Sequence, residues 1–167
     1  MSALPSRRWL LVAIAVAALG SVAFAVTTQH LFDMQPCPWC ILQRLIYVSI
    51  ALLALIGLGW SSGVGGRAVP YLLLLLCGLG IATALWQHFV AAASASCNLT
   101  LADRIVSATG LDNLLPEIFQ PRATCADAAV DLLGVPFELW SATMFALLAT
   151  TSVAVIVRSR RLSAATR

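Results

Sequence analysis

The chain of 167 residues is 60% hydrophobic and only 10% charged, and its formal net charge is +3. Its mean hydropathy is +0.93. Because soluble domains carry about 25% charged residues, this composition excludes an ordinary water-soluble globular protein. The small positive charge also argues against a nucleic acid as partner.

Taken in chain order, four segments without any Asp, Glu, Lys or Arg predict four transmembrane helices. Each can cross a hydrocarbon core of about 30 Å, which takes about 20 helical residues. The predicted spans cover residues 9–31, 41–60, 70–92 and 138–157. The predicted fold class is an all-α membrane protein, with a four-helix transmembrane bundle that forms one domain over residues 1–167.

The first span also has features of a secretory signal peptide. Arg7 and Arg8 precede an apolar stretch, and Ala23-Phe24-Ala25 offers a small-residue cleavage site. The apolar pattern continues to Phe32, whereas a signal peptide has an apolar region of about 7–15 residues. We therefore expect the first span to be retained, and cleavage would leave the sidedness of the other spans unchanged.

The distribution of basic residues predicts the sidedness. Seven arginines flank the first span, the connection between the second and third spans, and the end of the fourth. Three arginines and all seven acidic residues fall on the opposite side. Because short loops rich in arginine stay in the cytoplasm, both termini are predicted to be cytoplasmic. The two outside loops then cover about residues 32–40 and 93–137.

The long outside loop is broken into short pieces by prolines and glycines. Apolar and acidic residues alternate in Leu99–Ile105 and Leu111–Phe119, a pattern that indicates short amphipathic helices at the membrane surface. A loop of about 45 residues is too short to build its own core. It therefore needs the membrane, a partner or a crosslink to become ordered.

Five cysteines occur, and the two outside loops contain one pair each: Cys37 with Cys40, and Cys97 with Cys125. The fifth, Cys77, lies in the middle of the third span. A buried thiol commonly acts as a small hydrophobic side chain, so Cys77 is assigned a packing role.

The motif Cys37-Pro38-Trp39-Cys40 stands immediately before the second span. A cysteine at a helix N-terminus has its thiolate stabilised by unpaired N–H groups and the helix dipole, so the motif is suited to redox chemistry. Zinc is the alternative, because C-x-x-C is also half of a metal site. The second pair lacks that spacing and no ligand-like histidine accompanies it, so redox chemistry is preferred and no metal site is predicted.

Cys97 and Cys125 allow two interpretations. A structural disulfide closing this loop would contribute about 3–4 kcal/mol to stability. Alternatively, the flanking polar sequence and the nearby C-x-x-C favour an exchangeable disulfide, because a disulfide exposed in a mobile loop is easier for a thiolate to attack.

Arg44 and His88 are the other candidate site residues. Arg44 lies four residues after Cys40, one helical turn further along the same face. It either stabilises a thiolate and donates to a reducible carbonyl, or extends to the lipid headgroups. His88 lies near the outside end of the third span, where it is an interfacial residue or borders a quinone, and no haem site is expected.

The order of these features resembles the DsbB family, disulfide bond formation protein B. The resemblance covers most of the chain and rests on several motifs: Gln35-Pro36-Cys37-Pro38-Trp39-Cys40, Arg44, Gln87-His88, the two loop cysteines, Cys125-Ala126 and Leu132-Leu133-Gly134. This chain has its own dipeptide Pro38-Trp39, and Gln43 stands where some relatives carry an acid; both could tune the redox potential.

The resemblance implies a quinone-dependent protein-dithiol oxidase of the bacterial inner membrane, with its active cysteines on the periplasmic side. A periplasmic DsbA-like dithiol protein attacks Cys97, which is disulfide-bonded to Cys125. Cys125 then attacks the Cys37–Cys40 bond at Cys37. Cys40 faces the quinone, either ubiquinone or menaquinone, and Arg44 stabilises the developing charge.

Two alternatives stay open from sequence. A quinone reductase resembling vitamin K epoxide reductase also combines a membrane C-x-x-C with a helical bundle, although its motif comes late in the chain. A non-enzymatic membrane subunit or small transporter would use the disulfides only to hold its loops, but its transport path would need charged residues that these spans almost lack.

Overall fold

The computed structural model describes residues 5–60, 63–93 and 100–165. Four of its helices are long and apolar enough to cross a membrane, which confirms the predicted four-helix bundle. They are α1 (Arg7–Leu31), α2 (Pro38–Gly59), α3 (Gly63–Trp86), which continues as a π-helix over Gln87–Ala91, and α7 (Phe137–Ala165).

The four long helices form a closed ring, in which α1 and α3 each pack against both α2 and α7. Each helix contributes fully buried apolar side chains to the centre: Leu11, Ile14, Ile50, Leu73 and Phe145. Large apolar side chains also cover the outer faces, including Val16, Leu55, Leu75 and Leu147. The bundle is therefore apolar on its outer surface as well as in its centre. A bilayer favours such a surface, because lipid tails cannot form hydrogen bonds with polar groups.

A close approach between α3 and α7 depends on Gly80. A Cβ atom at that position would lie 2.5 Å from the Phe145 ring, so only glycine leaves room for it. The Phe145 ring stacks on Tyr47 of α2, with ring centroids 4.0 Å apart. Small residues that let helices approach closely are typical of packing inside membranes.

The third helix begins at Gly63, seven residues before Pro70, where the predicted span starts. Pro70 has no N–H, and the Gly66 carbonyl one turn earlier is left without its helical donor. The Arg7 guanidinium donates to that carbonyl at 3.2 Å. It also donates to the carbonyls of Gly57 at 3.1 Å and Trp60 at 3.3 Å at the end of α2.

The long connection folds back onto the bundle. It contains α4 (Leu101–Thr109), α5 (Leu111–Leu114), α6 (Pro116–Phe119) and a short antiparallel hairpin, β1 (Asp131–Leu132) with β2 (Val135–Pro136). Leu133 and Gly134 form its turn with φ values of 56° and 77°, as a two-residue hairpin turn of type I′ requires.

The first of these short helices, α4, is amphipathic as predicted, but it packs on protein rather than only on the membrane surface. Thr100 and Asp103 form a capping box at its start. Its residues Ala102 and Val106 are buried, and the helix contacts α2. The loop therefore gains its order from the bundle.

Candidate functional site

The C-x-x-C motif forms the first turn of α2, which begins at Pro38 rather than after the motif. Cys37 is the N-cap, and its sulfur accepts a hydrogen bond from the Cys40 N–H at 3.4 Å. The two Sγ atoms are in contact at 3.2 Å. Cys37 is fully buried, whereas Cys40 is partly buried.

The long connection brings Cys125 to the other side of Cys37. The backbone N–H groups of Arg122 and Ala123 donate to the Pro36 carbonyl at 2.9 and 3.3 Å, which fixes the connection directly beside the motif. Cys125 lies beside Cys37 and the Trp39 backbone, near enough for both to affect its pKa. The three cysteines therefore lie side by side in space, in the order Cys125, Cys37 and Cys40.

These contacts shift the pKa values of Cys37 and Cys125 in opposite directions. Hydrogen bonds to Cys125 and Cys40, together with burial, raise the pKa of Cys37 far above its ordinary value. The hydrogen bond from Cys37 lowers the pKa of Cys125. The contact therefore stabilises the protonated form of Cys37 and the thiolate form of Cys125.

A pair of glutamines holds the Cys40 sulfur on its other side. The Gln43 Nε2 donates to the Gln87 Oε1 at 2.7 Å, which leaves the Gln87 Nε2 to donate to the Cys40 Sγ at 3.2 Å. Gln87 opens the π-helix, whose wider turn interrupts the α-helical ladder here. Both glutamines are buried.

Cys40 lines a cavity of about 510 Å³ between α1, α2, α7 and the long connection. Its walls are mainly apolar, with contributions from Phe24, Met34, Met144 and the hairpin. Cys40, Arg44, Gln87 and Glu138 bring polar groups to it. Pockets for small ligands typically measure about 300–1,000 Å³ and combine apolar walls with a few polar groups.

Arg44 is buried, with 5% of its surface exposed. Its Nη1 donates to the Gln29 side chain at 2.9 Å and to the Ile118 carbonyl at 2.8 Å. Its Nη2 donates to the Ala25 carbonyl at 3.3 Å. The interpretation that Arg44 extends to the headgroups is therefore wrong, and its guanidinium is a fixed cation beside the cavity.

His88 is not one of the residues that line this cavity. Its Nδ1 lies 2.8 Å from the Glu138 Oε1, and it is Glu138 that reaches the cavity wall. Within the described part of the chain, no group of three or more His, Cys, Asp or Glu side chains has the arrangement of a metal site.

The family of this chain follows from its match to a known family profile. The profile of the family described as Disulfide bond formation protein DsbB matches residues 7–155. The chain belongs to the DsbB family. It is thus a multi-pass membrane protein of disulfide bond formation, which argues against a vitamin K epoxide reductase, a transporter or a purely structural subunit.

Individual DsbB relatives support this over nearly the whole length. Disulfide bond formation protein B of Ralstonia nicotianae is 32% identical over 160 residues, covering 89% of this chain and 92% of the relative. That of Aromatoleum aromaticum is 32% identical, covering 93% and 95%. Disulfide bond formation protein B 1 of Pseudomonas syringae pv. syringae is 34% identical, covering 90% of each chain.

Among the predicted site residues of this DsbB-family chain, the structure brings Cys37, Cys40 and Cys125 together and places Arg44 on the same cavity as Cys40. Cys97 lies outside the described residues, so its pairing with Cys125 stays a prediction.

Sequence reasoning missed the roles of Gln29, Gln87 and Glu138. In the sequence, Gln87 is only part of the family motif, and Glu138 is only one of the seven acidic residues predicted on the outside. The one signal in the sequence was their position, since each lies at a predicted membrane boundary, where a buried polar residue needs a partner.

Proposed function

We propose that this protein oxidises a DsbA-like periplasmic dithiol protein and passes the electron pair through Cys97/Cys125 and Cys37/Cys40 to a membrane quinone, ubiquinone or menaquinone. The observation that carries the proposal is the juxtaposition of three cysteines: Cys125 lies beside Cys37, and Cys37 contacts Cys40, which lines an apolar cavity beside Arg44.

The exchange steps follow from this order. A partner thiolate attacks Cys97 in the Cys97–Cys125 disulfide and releases Cys125 as a thiolate. Cys125 lies beside Cys37, so it is positioned to attack the Cys37–Cys40 disulfide at Cys37. Cys40 is then the leaving thiolate, and it receives a hydrogen bond from Gln87.

The remaining steps restore both disulfides. The second thiol of the partner resolves the mixed disulfide and frees Cys97, which attacks Cys125 and releases Cys37. When Cys37 and Cys40 then form their disulfide again, one electron pair leaves the protein. A quinone supplies the sink for that pair, and its reduction also consumes two protons.

The chemical character of the cavity suits a quinone. Its apolar walls suit a hydrophobic ring, and the fixed guanidinium of Arg44 stabilises negative charge that develops on a carbonyl oxygen. Three of the five Arg44 N–H groups bind protein oxygens, and the other two have no partner among the described residues. Those two are available to a ligand.

We propose a sidedness together with this function. The arginine distribution supports cytoplasmic termini and periplasmic loops in the bacterial inner membrane. The motif, Cys125 and the long connection share one end of the bundle, which this orientation places in the oxidising compartment where disulfides persist.

The direct test mixes purified protein with a reduced DsbA-like protein and either quinone, while quinone absorbance is recorded. We expect quinone to be consumed only with the dithiol partner present. With the oxidised partner, whose disulfide the Cys97 thiolate can attack, Cys125→Ser should accumulate a mixed disulfide through Cys97. Cys77→Ala, the matched control, should retain turnover. An adduct through Cys37 or Cys40 would contradict the proposed path.

A further inference from the structure

A buried carboxylate with one unpartnered oxygen lines the cavity that holds Cys40 and Arg44. Glu138 lies in the first turn of α7, and its side chain is only 3% exposed. Its Oε1 contacts the His88 Nδ1 at 2.8 Å, whereas its Oε2 is buried and has no partner among the described residues. A buried polar atom without a partner is costly and needs an explanation.

His88 connects this carboxylate to the exterior. Its side chain is 29% exposed and lies in the π-helix, at the end of the bundle that carries the long connection. An imidazole is suited to take up and release protons near neutral pH. The pair therefore joins a partly exposed proton acceptor to a buried oxygen on the cavity wall.

The other titratable or charged groups on the cavity wall are Cys40, Arg44 and Tyr47, all from α2. The described residues that α1 and the long connection contribute to the wall are neither charged nor titratable. A guanidinium does not give up a proton in proteins. The Tyr47 hydroxyl is already bound to the Ser141 carbonyl at 3.0 Å. Glu138 is therefore the acid that faces this cavity.

The proposed reaction needs such a group. When the Cys37 thiol and the Cys40 thiolate form their disulfide, two electrons and one proton leave the sulfurs. Formation of a quinol takes two electrons and two protons. One proton per turnover must therefore come from another donor.

We propose that the His88–Glu138 pair is this proton path: Glu138 releases the proton from Oε2 into the cavity, and His88 replaces it from water outside. The inference rests on the proposed function. It assigns His88 the role of a relay behind Glu138 instead of a direct contact with the acceptor.

The test compares Glu138→Gln, Glu138→Asp and His88→Gln with Asp131→Asn, an exposed acid of β1, as the matched control. In Glu138→Gln we expect quinone reduction to slow by about 10²-fold at neutral pH and to recover as the pH falls, since general acid catalysis contributes about 10²–10⁴-fold. Glu138→Asp should restore part of the rate. In His88→Gln the first turnover should be normal and later ones slow.

Two readouts apart from turnover separate this role from a structural one. Quinone binding without a dithiol, followed by tryptophan fluorescence, should be unchanged in Glu138→Gln. The carboxylic-acid band in redox-induced infrared difference spectra should disappear in Glu138→Gln and persist in Asp131→Asn.

Wild-type rates in both Glu138→Gln and His88→Gln, or loss of quinone binding in Glu138→Gln, would overturn the proton path. If Glu138→Gln fails to fold, the loss of later turnovers in His88→Gln decides the question. A wild-type protein that reduces no quinone would instead contradict the proposed function itself.

Discussion

Arg44 is joined to α1 and α6 by hydrogen bonds to Gln29, Ala25 and Ile118. Its charge is therefore fixed in place before any ligand arrives, and preorganised charge is the most effective kind in a site that excludes water. These bonds also mean that its removal leaves buried oxygens without a donor, which costs about 1–3 kcal/mol for each unpaired group.

We predict that Arg44→Ala and Arg44→Met raise the apparent KM for quinone by about tenfold or more, since a hydrogen bond to a charged group contributes about 1.5–3 kcal/mol. Arg44→Lys keeps the charge but loses the planar arrangement of donors, so its defect should be smaller. Steady-state kinetics with quinone and dithiol partner varied separately check this. The KM for the partner should barely move, and an unchanged quinone KM in a folded Arg44→Ala protein would place the quinone site elsewhere.

The charge distribution between Cys37 and Cys125 gives a pH prediction for the fully reduced protein. The pKa of Cys125 is lowered by the hydrogen bond from Cys37, so its thiolate persists at a lower pH than in an unfolded chain. This stabilisation is present above the unfolded pKa and is lost as the pH falls through the folded pKa. For Cys37, whose pKa is raised, the stabilisation is present below the unfolded pKa and lost only at high pH.

Cys37→Ala removes the donor to Cys125 and should therefore move the pH dependence of Cys125 alkylation to higher pH. Mass spectrometry of the Cys125 peptide after iodoacetamide pulses measures this rate at each pH. Cys77→Ala is the control, because Cys77 is buried in α3 and should leave the profile unchanged. An unaltered profile in Cys37→Ala would show that the sulfur contact does not set the charge of Cys125.

For individual residues, the sequence predicts which side chains share a helix face, because helical spacing determines it. Cys37, Cys40 and Arg44 lie within eight residues, so one helix fixes their common face. The contacts of Cys37 with Cys125 and of His88 with Glu138 join residues far apart in the chain. Such contacts depend on how the helices and the long connection pack, and no local pattern encodes that.

Among the elements, the π-helix at the end of α3 has the clearest consequence for the site. It places Gln87 against Cys40 and the adjacent residue, His88, against Glu138. π-Helical turns occur frequently at functional sites, and here two neighbouring residues each contact a different part of the site. The sequence predicted only a helix that ends near residue 92, because apolar periodicity does not distinguish an α-turn from a π-turn.

Gln87→Glu replaces the amide donor beside the Cys40 sulfur with a carboxylate. We predict that the reduced form is disfavoured because the carboxylate repels a thiolate. The Cys37–Cys40 potential should then fall by about 30 mV or more, equivalent to about 1.4 kcal/mol. Equilibration with glutathione buffers measures it, and Gln120→Glu, at an exposed position, is the matched control. Equal potentials in the two variants would mean that Gln87 does not tune this sulfur.

The bounds of α3 show what sequence could not predict about an element. A span starting at Pro70 is reasonable, since proline suits the first turn of a helix. The structure instead keeps Pro70 inside the helix, because Arg7 of α1 supplies the donor that the Gly66 carbonyl lacks. That compensation comes from another helix, so it is a property of the bundle. In the sequence alone, Arg7 is only a marker of sidedness.

For the whole molecule, composition and uncharged runs were sufficient to predict four spans, because the bilayer imposes length and polarity on each one separately. They were not sufficient to predict how the long connection is ordered. The structure anchors it to the Pro36 carbonyl and buries Ala102, Val106 and Phe119. Burial against helices elsewhere in the chain replaces the independent core that a loop of this length cannot form.

The sidedness of the whole molecule is open to a decisive test. We predict that the N-terminus is cytoplasmic and that the long connection is periplasmic, because the short segments rich in arginine stay inside. In a background without native cysteines, Ser6→Cys reports the N-terminal end and Ala108→Cys reports the exposed face of α4. Spheroplasts are cells whose outer membrane has been removed and whose inner membrane is intact. A membrane-impermeant maleimide added to spheroplasts should label Ala108→Cys at once, and Ser6→Cys only after the inner membrane is permeabilised.

The control for accessibility is denaturation, after which both positions should react equally. Labelling of Ser6→Cys in intact spheroplasts, with protection of Ala108→Cys, would reverse the topology and place the cysteine contact in the cytoplasm. Cytoplasmic thiols are kept reduced, so disulfides there are rare. That result would contradict both the sidedness and the electron path from Cys97, since a periplasmic dithiol partner could not reach the loop. Labelling in the predicted order would instead place Cys125 and the C-x-x-C motif on the side where a disulfide is stable.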